Sequence, residues 1–438
     1  MADDADNNLK HREISMKFGA AICFSISVSL VFLGTKAFAG GIMLYETGTP
    51  EVGLAAAGWA ARAQDASTVL TNPAGMTRLA GDELLVGTQL LYADIGFETG
   101  FATFGGDDGG NPVGFFPGLS TYYSHSVSDR LKMGAALYGN FGLALDYNDG
   151  WAGRYHFQEG TLLGITLAPT VAYKATEALS VGGAVNMMFG IFSNTVAVNN
   201  IDPGLADGEL ELSDNQWGFG ANLGLMYEVG DATRLGIQYT SEIELDFADT
   251  VEFSGLGPGL TAALIATGRL DTRIALDITV PQTVMVSLFH QTTPSLAVLA
   301  NVGWQDWSEY GRVGVEVSSQ SDRSLTLERD YDDSYHAAIG LQYDLRGPWL
   351  MSCGVAFDSG IVDDDTRTAD LPNGDSWRFS LGGRYSVSES MDIGLGYTLL
   401  LMGDLDMNLD GGPLSGDTSG SFEDTSMHFF AVSFRKAF

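Results

Sequence analysis

From Asp82 to the end, the chain alternates apolar and polar residues with a period of two. Met391, Ile393, Leu395, Tyr397 and Leu399 fall on one side, with Asp392, Gly394, Gly396 and Thr398 on the other. Trp377, Phe379, Leu381 and Tyr385 oppose Arg378, Ser380, Gly382 and Arg384 in the same way. Such a period places the two sets on opposite faces of a sheet. Fourteen segments follow it, roughly 83–98, 117–127, 132–145, 161–175, 179–195, 215–228, 232–247, 273–289, 295–308, 334–345, 349–358, 376–386, 391–402 and 425–438. Connections at 128–131, 176–178, 229–231, 290–294, 346–348 and 387–390 are short, and the alternate ones are long.

A soluble sandwich would alternate too. Three features favour a membrane barrel. The apolar faces begin or end in Tyr, Trp or Phe, as an interfacial girdle requires. The opposite faces carry Arg, Asp, Gln and Gly, suited to a wet or plugged lumen. Short connections alternate with long ones, as periplasmic turns alternate with outer loops. The expected fold is therefore all-β, a transmembrane antiparallel 14-stranded β-barrel over residues 82–438. Phe430, Val432, Phe434 and the terminal Phe438 share one parity. That ending is similar to the assembly signal of bacterial outer-membrane barrels. The expected partners are thus the barrel assembly machinery, through the Phe438 strand, and outer-membrane lipid and lipopolysaccharide; a monomer is expected.

Upstream the pattern changes. Lys10, Arg12 and Lys17 precede an apolar run, Phe18 to Leu33, and Ala37-Phe38-Ala39 is a small-x-small cleavage site. Residues 1–39 read as an export signal, with Met16 an alternative start; the other reading is a membrane anchor, for which the run is short. Residues 40–81 have helical rather than strand character. Thr49-Pro50-Glu51 reads as a helix start, Val52–Ala63 as a small-residue helix, and Asp65 as the cap of a second short helix through Ala66–Leu70. Pro73 restricts Asn72 to extended geometry and ends that helix. The segment is too apolar for a solvated linker. An N-terminal helical hatch that plugs the lumen is expected.

Composition narrows the function. The net charge is −33 and the 438 residues include 56 Gly. Residues 1–39 hold four basic and four acidic residues, so the remainder keeps the whole −33. Phosphate binding needs a basic surface, and no nucleic-acid partner is expected. Acid gathers in loop-like stretches, where it aids solubility or bridges divalent cations to lipid headgroups. Of the two cysteines only Cys353 lies beyond the signal, so an intramolecular disulfide is impossible. The six histidines lack metal-ligand spacing, and there is no G-x-S-x-G elbow. No catalytic residue, metal site or cofactor is expected. The competing classes are a barrel lipid hydrolase, a hydrophilic porin and a purely structural barrel.

The chain from Gly40 to Phe438 resembles the FadL-type family of outer-membrane transporters for long-chain fatty acids and hydrophobic compounds. The most specific matches are Gly53-x3-Ala57-Gly58, Asp65-Ala-Ser-Thr68, Asn72-Pro73-Ala74-Gly75-Met76 and Tyr138-Gly139-Asn140-Phe141-Gly142-Leu143; Trp304-x2-Trp307-Ser308 and Arg234–Ser241 add to them. The resemblance implies that ligands are caught in an outer groove between two loops and pass to a pocket beside the hatch. Movement of the N-terminus then opens a side gap in the wall, made by a kink in the third strand.

On that basis Asn72, Pro73, Ala74 and Gly75 are the expected hatch anchor. Gly139, Asn140, Phe141 and Gly142 are the expected kink, although glycines there would also serve smooth curvature. Phe253, Leu256, Leu260 and Leu264 in loop 248–272, with a short helix at 259–267, are candidate ligand contacts. They would face Ile201, Leu205, Leu210 and Leu212, or simply pack as a loop. Met188, Phe189 and Phe192 are candidates inside the barrel. One departure stands out: no Lys or Arg occurs between Lys174 and Arg234, where a carboxylate clamp is expected. Arg154, Arg273, Arg378 or Arg384 would have to replace it. Long-chain fatty acids are the expected ligand, with neutral aromatic or alkane hydrocarbons as the alternative.

Overall fold

The computed structural model describes residues 43–200, 204–318 and 323–438. The expected export signal, the start of the expected hatch and the loop residue Ile201 lie outside the described residues. In chain order the strands are β1 (Glu83–Asp94), β2 (Phe97–Ala102), β3 (Gly114–Ser126), β4 (Leu131–Asp146), β5 (Glu159–Lys174), β6 (Leu179–Val198), β7 (Gly208–Gly230), β8 (Thr233–Thr240), β9 (Ile243–Thr250) and β10 (Glu252–Ser254). There follow β11 (Arg273–Val280), β12 (Thr283–Thr293), β13 (Leu296–Gln305), β14 (Arg312–Ser318), β15 (Arg323–Glu328), β16 (Ser334–Asp344), β17 (Trp349–Asp358), β18 (Ser376–Ser388), β19 (Met391–Leu409) and β20 (Thr418–Ala437).

The wall consists of β1, β3 to β8, β12, β13 and β16 to β20, each antiparallel to the next. β1 pairs with β20 from Glu83–Ala437 to Asp94–Ser426, and this closes the fourteen-stranded barrel. Closure leaves no free edge in hydrocarbon, where an unpaired N–H or C=O is costly. The apolar parity faces outward: Leu223, Ile339, Leu381 and Leu395 are all more than half exposed. Aromatic contacts mark both rims, with Trp349–Tyr385 beside the short turns and Phe357–Trp377 beside the long loops. The opposite parity buries Gln89, Asn186, Asn222, Gln238 and Asn301 inside.

Two expected wall strands are in fact broken. Segment 232–247 divides into β8 and β9, and segment 273–289 into β11 and β12. Only β8 and β12 belong to the wall; β9 and β11 join β14 and β15 in a separate four-stranded sheet. Pro281 sits at one break and cannot donate to a ladder. β9 turns its buried Ile243, Leu245 and Phe247 against the inner face at Gly190, Gly218 and Gly220, where a Cβ would meet those side chains. Alternation continues through both breaks, so the period alone did not reveal them. The expected loop 309–333 likewise contains β14 and β15.

Residues 43–81 lie inside the barrel, bonded to wall side chains on many sides. The expected helix over Val52–Ala63 is absent. A 3-10 turn, Pro50–Leu54, gives way to Ala55 and Ala56 with φ of 50° and 61°. Left-handed geometry there is costly for alanine, and wall groups compensate by holding the backbone. Gly58 N donates to Asn301 Oδ1 (2.8 Å), Ala60 N to Ser287 Oγ (2.9 Å), and Thr398 Oγ1 donates to the Val52 carbonyl (2.7 Å). The wall thus does what helical hydrogen bonds would otherwise do. It also explains some of the glycine: a Cβ at Gly236 would run into the Ala60 carbonyl, and one at Gly354 into that of Leu54. The second short helix is present as Thr68–Thr71.

Candidate functional site

β4 is irregular where the kink is expected. Its ladder with β3 runs only from Ser126–Lys132 to Thr121–Leu137. Beyond that point β3 continues beside β1, while β4 continues beside β5. The register with β5 shifts between Gly139 and Phe141, which leaves Asn140 as the extra residue of a bulge. Gly142 has φ 151°, and a Cβ there would strike Leu162 and Leu163 of β5. Glycine is therefore required, not merely tolerated.

The gap between β3 and β4 is backed by the first described residues of the plug. Met43 forms an isolated antiparallel bridge with Phe141, and Leu44 N donates to the Asn140 carbonyl at 2.8 Å. Thr47 follows, its carbonyl accepting from Ser120 Oγ (2.5 Å) and its hydroxyl from Tyr122 (3.0 Å). The plug tip therefore serves as a short substitute strand behind the parted ladder.

Asn72 ties the plug together. Its Nδ2 donates to the Ala60 carbonyl (2.7 Å) and to the Leu225 carbonyl of β7 (3.1 Å), while Oδ1 accepts from Ala74 N (3.1 Å). Its φ of −169° is the extended geometry that Pro73 imposes. Pro73 and Ala74 press on Gly182, and Gly75 is enclosed by Thr68 and Ala63. Arg62 forms a second hub, paired with Glu51 (2.7 Å) and Asp65 (2.6 Å) where almost no side-chain surface is exposed. Burial opposes the charge on Arg62, but Asp65 and Glu51 outweigh it and hold the guanidinium protonated. Burial would raise the Asp65 carboxyl; Arg62 and Ser67 more than reverse this and hold it below the usual carboxylate range.

A cavity of about 60 Å³ lies where plug tip, kink and wall meet. Met43, Leu44, Tyr45, Trp59 and Leu70 line it from the plug, Tyr138, Asn140 and Phe141 from the kink, and Asn186, Met188, Gln238 and Gln305 from the wall. Its lining contains no charged side chain. Burial pushes the Tyr45 phenol up to about 12, so it is neutral; its oxygen accepts from Gln305 Nε2 at 3.0 Å. A second cavity of about 260 Å³ lies toward the long loops, lined by Leu143, Leu162, Phe192, Ile278 and Tyr310 and by the charged Arg329 and Asp370. That Arg329 is held by Asp370 (2.8 Å), whose charge raises the guanidinium's affinity for its proton. One apolar cluster including Phe141, Met188, Ile243 and Ile278 spans both cavities.

The other candidates are distributed unevenly. Met188 lines the first cavity and Phe192 the second. Phe189 has the opposite parity: it pairs with Trp217, ring centroids 5.1 Å apart, on the outer face. Reading it as an inward ligand contact is corrected by that alternation. Phe253 sits in β10, which pairs with β7, and Leu256, Leu260 and Leu264 are half-buried on or beside a helix, Pro258–Ala266. They line neither cavity. Asn200 bonds Gly255 and Gly257, so this loop packs on the one opposite. The substitute cations are also elsewhere. Arg154 pairs with Asp207, Arg378 with Asp358 and Glu46, Arg384 lies half-buried beside the plug, and Arg273 is exposed on β11. Tyr45, Gln238 and Gln305 were missed as site residues, since only the closed barrel brings plug and wall together.

Comparison with known proteins agrees with this geometry. The family model described as "Outer membrane protein transport protein (OMPP1/FadL/TodX)" matches residues 30–438. Outer membrane protein P1 of Haemophilus influenzae is 28% identical over 419 residues, 86% of this chain and 89% of that protein. A long-chain fatty acid transport protein of Salmonella typhi is 26% identical over 399 residues, 85% and 90% respectively. Among solved structures, a Pseudomonas aeruginosa FadL homologue superimposes with a TM-score of 0.82 at 19% identity, covering 91% of this chain and all of that one. The toluene transporter TodX of Pseudomonas putida gives 0.64 at 18% identity, covering 87% and 98%. At those identities the two structures bear on the fold alone. The chain belongs to the outer membrane protein transport family OMPP1/FadL/TodX, as an outer-membrane transporter of hydrophobic compounds.

Proposed function

We propose that this protein takes up long-chain fatty acids by hatch-gated diffusion, with lateral exit through the β4 kink. The observation that carries the reading is the shared wall of the 60 Å³ cavity: plug tip and kink line it together. In the closed arrangement that cavity of about 60 Å³ is far smaller than a typical ligand pocket of roughly 300–1,000 Å³. Entry therefore requires the tip to move, and the same movement uncovers the parted β3–β4 ladder. Lateral exit also suits an apolar ligand, since each CH₂ gains about 0.8 kcal/mol by staying out of water. The cluster spanning both cavities supplies an apolar track from the loops to the kink.

A second reading has one observation in its favour. No charged side chain lines the cavity at the kink, which suits neutral aromatic or alkane hydrocarbons. Competition between toluene and a labelled fatty acid for uptake separates the two.

The gate is tested by joining Met43→Cys to Phe141→Cys in a Cys353→Ser background. A bridged antiparallel pair is within disulfide reach. Oxidised protein is expected to lose fatty acid uptake and to regain it on reduction. Wild-type uptake by the fully cross-linked form would overturn the gating scheme.

A further inference from the structure

The plug tip carries a buried charge that hydrophobic transport alone does not explain. Glu46 is 1% exposed. Its Oε1 lies 3.3 Å from Arg378 Nε, and its Oε2 has no hydrogen-bond partner among the described residues. Arg378 also grips Asp358, and Asp358 in turn bonds His336 Nδ1 at 2.8 Å. The cluster therefore sets two carboxylates against one guanidinium. Asp358 holds the closer position, so Glu46 is the looser partner. A carboxylate with one bare oxygen in a dry site is retained by its cation and little else.

Tyr45 stands between this cluster and the cavity. Its ring faces the Arg378 guanidinium at 5.3 Å and the His336 ring at 4.6 Å, and its hydroxyl rests on Gln305 in the cavity wall. Hence one aromatic ring separates the cavity, which has no charged side chain of its own, from a guanidinium. Tyr45 and Glu46 directly follow Met43 and Leu44, the residues that back the kink.

We propose that the Glu46–Arg378 pair is the latch that keeps the plug tip on the kink, and that the carboxylate of a bound hydrophobic ligand releases it by replacing Glu46 on Arg378. This rests on the fatty acid reading above. The exchange is isoelectric: one carboxylate leaves the guanidinium for water as another arrives, while Asp358 keeps its own place, so the charge of the cluster does not change. A neutral ester of the same chain offers no anion and leaves the latch closed. Head-group chemistry would then be read at the gate itself, not in the cavity.

The test compares uptake of a long-chain fatty acid and its methyl ester into proteoliposomes. Wild-type protein is expected to favour the acid. Glu46→Gln keeps the shape but removes the charge; it should raise ester uptake towards that of the acid and lower the preference by about tenfold, the low end of the coupling between close charge pairs. Equal uptake of acid and ester by wild-type protein, or an unchanged preference in Glu46→Gln, overturns the latch while leaving fatty acid uptake standing. Uptake of toluene but of neither acid nor ester overturns the fatty acid reading and the latch with it. A second readout needs no change in the cluster. With Leu44→Cys in the Cys353→Ser background, labelling by an impermeant maleimide should accelerate on adding the acid and not the ester. Equal acceleration by both would also overturn the proposal.

Discussion

From Thr49 to Leu79 the plug is gripped by the wall through many hydrogen bonds, whereas from Met43 to Glu46 it is held by a handful of contacts, to β4, Gln305 and Arg378. The body accepts hydrogen bonds from Asn222, Arg234 and Gln238 and from Thr398 across the barrel, and donates to Ser287 and Asn301. It also carries its own buried hub in Arg62, Glu51 and Asp65. The tip has one bridge to Phe141, one backbone bond to Asn140, the Tyr45–Gln305 bond and the Glu46–Arg378 pair. Segments that move are drawn from the least stable part of a structure. The contrast points to a body that seals the lumen and a tip that opens the side gap.

The strongest way to break this contrast is to attack the body. Arg62→Met leaves Glu51 and Asp65 buried without their cation, and removal of one partner from such a site costs about 3–5 kcal/mol. The plug is expected to loosen as a whole, seen as steady ion conductance in planar bilayers above that of the wild-type protein. Acid should do the same more gradually. The Asp65 carboxyl is held below its ordinary range in the folded plug, so it binds its proton more readily once released. Its contribution is fully present at neutral pH and is lost as pH falls below the usual carboxylate value of about 4. Conductance that rises on acidification, and rises at higher pH in Ser67→Ala, would bear this out.

Attacking the tip's partner should affect transport and not the seal. Gly142→Val places a β-branched residue at φ 151° against β5. It either closes the kink or strains it by about 1–3 kcal/mol. Uptake of a hydrophobic ligand should fall while conductance stays at the wild-type level; undiminished uptake in folded protein would sink the lateral-exit assignment. The smallest effect separates two neighbours. Met188→Asp puts a charge into the cavity lining and should reduce uptake severely. Phe189→Leu changes only the outer face beside Trp217 and should leave uptake within error.

Much of the wall was legible because period two is a strong signal over long strands. Fourteen strands, their outward aromatic rims and the even count all follow from it. The irregularity of β4 was legible through Gly139 and Gly142, although the extra residue, Asn140, was not distinguishable from its neighbours. Phe189 misled because an apolar run, Met187 to Phe192, hides which parity faces in. The plug misled differently: its small residues fit a helix, but Asn301, Ser287 and Thr398 lie far away in sequence and offer its backbone other partners.

The sequence by itself determined the barrel, the membrane it suits and the presence of an apolar segment ahead of it, since these rest on local alternation and composition. Only the tertiary structure decided how that segment is folded, that β9 and β11 leave the wall, and that Glu46 meets Arg378. Each of those depends on which glycines leave room for a backbone and which buried polar groups face one another across the lumen. These are properties of the closed barrel and not of any stretch of chain.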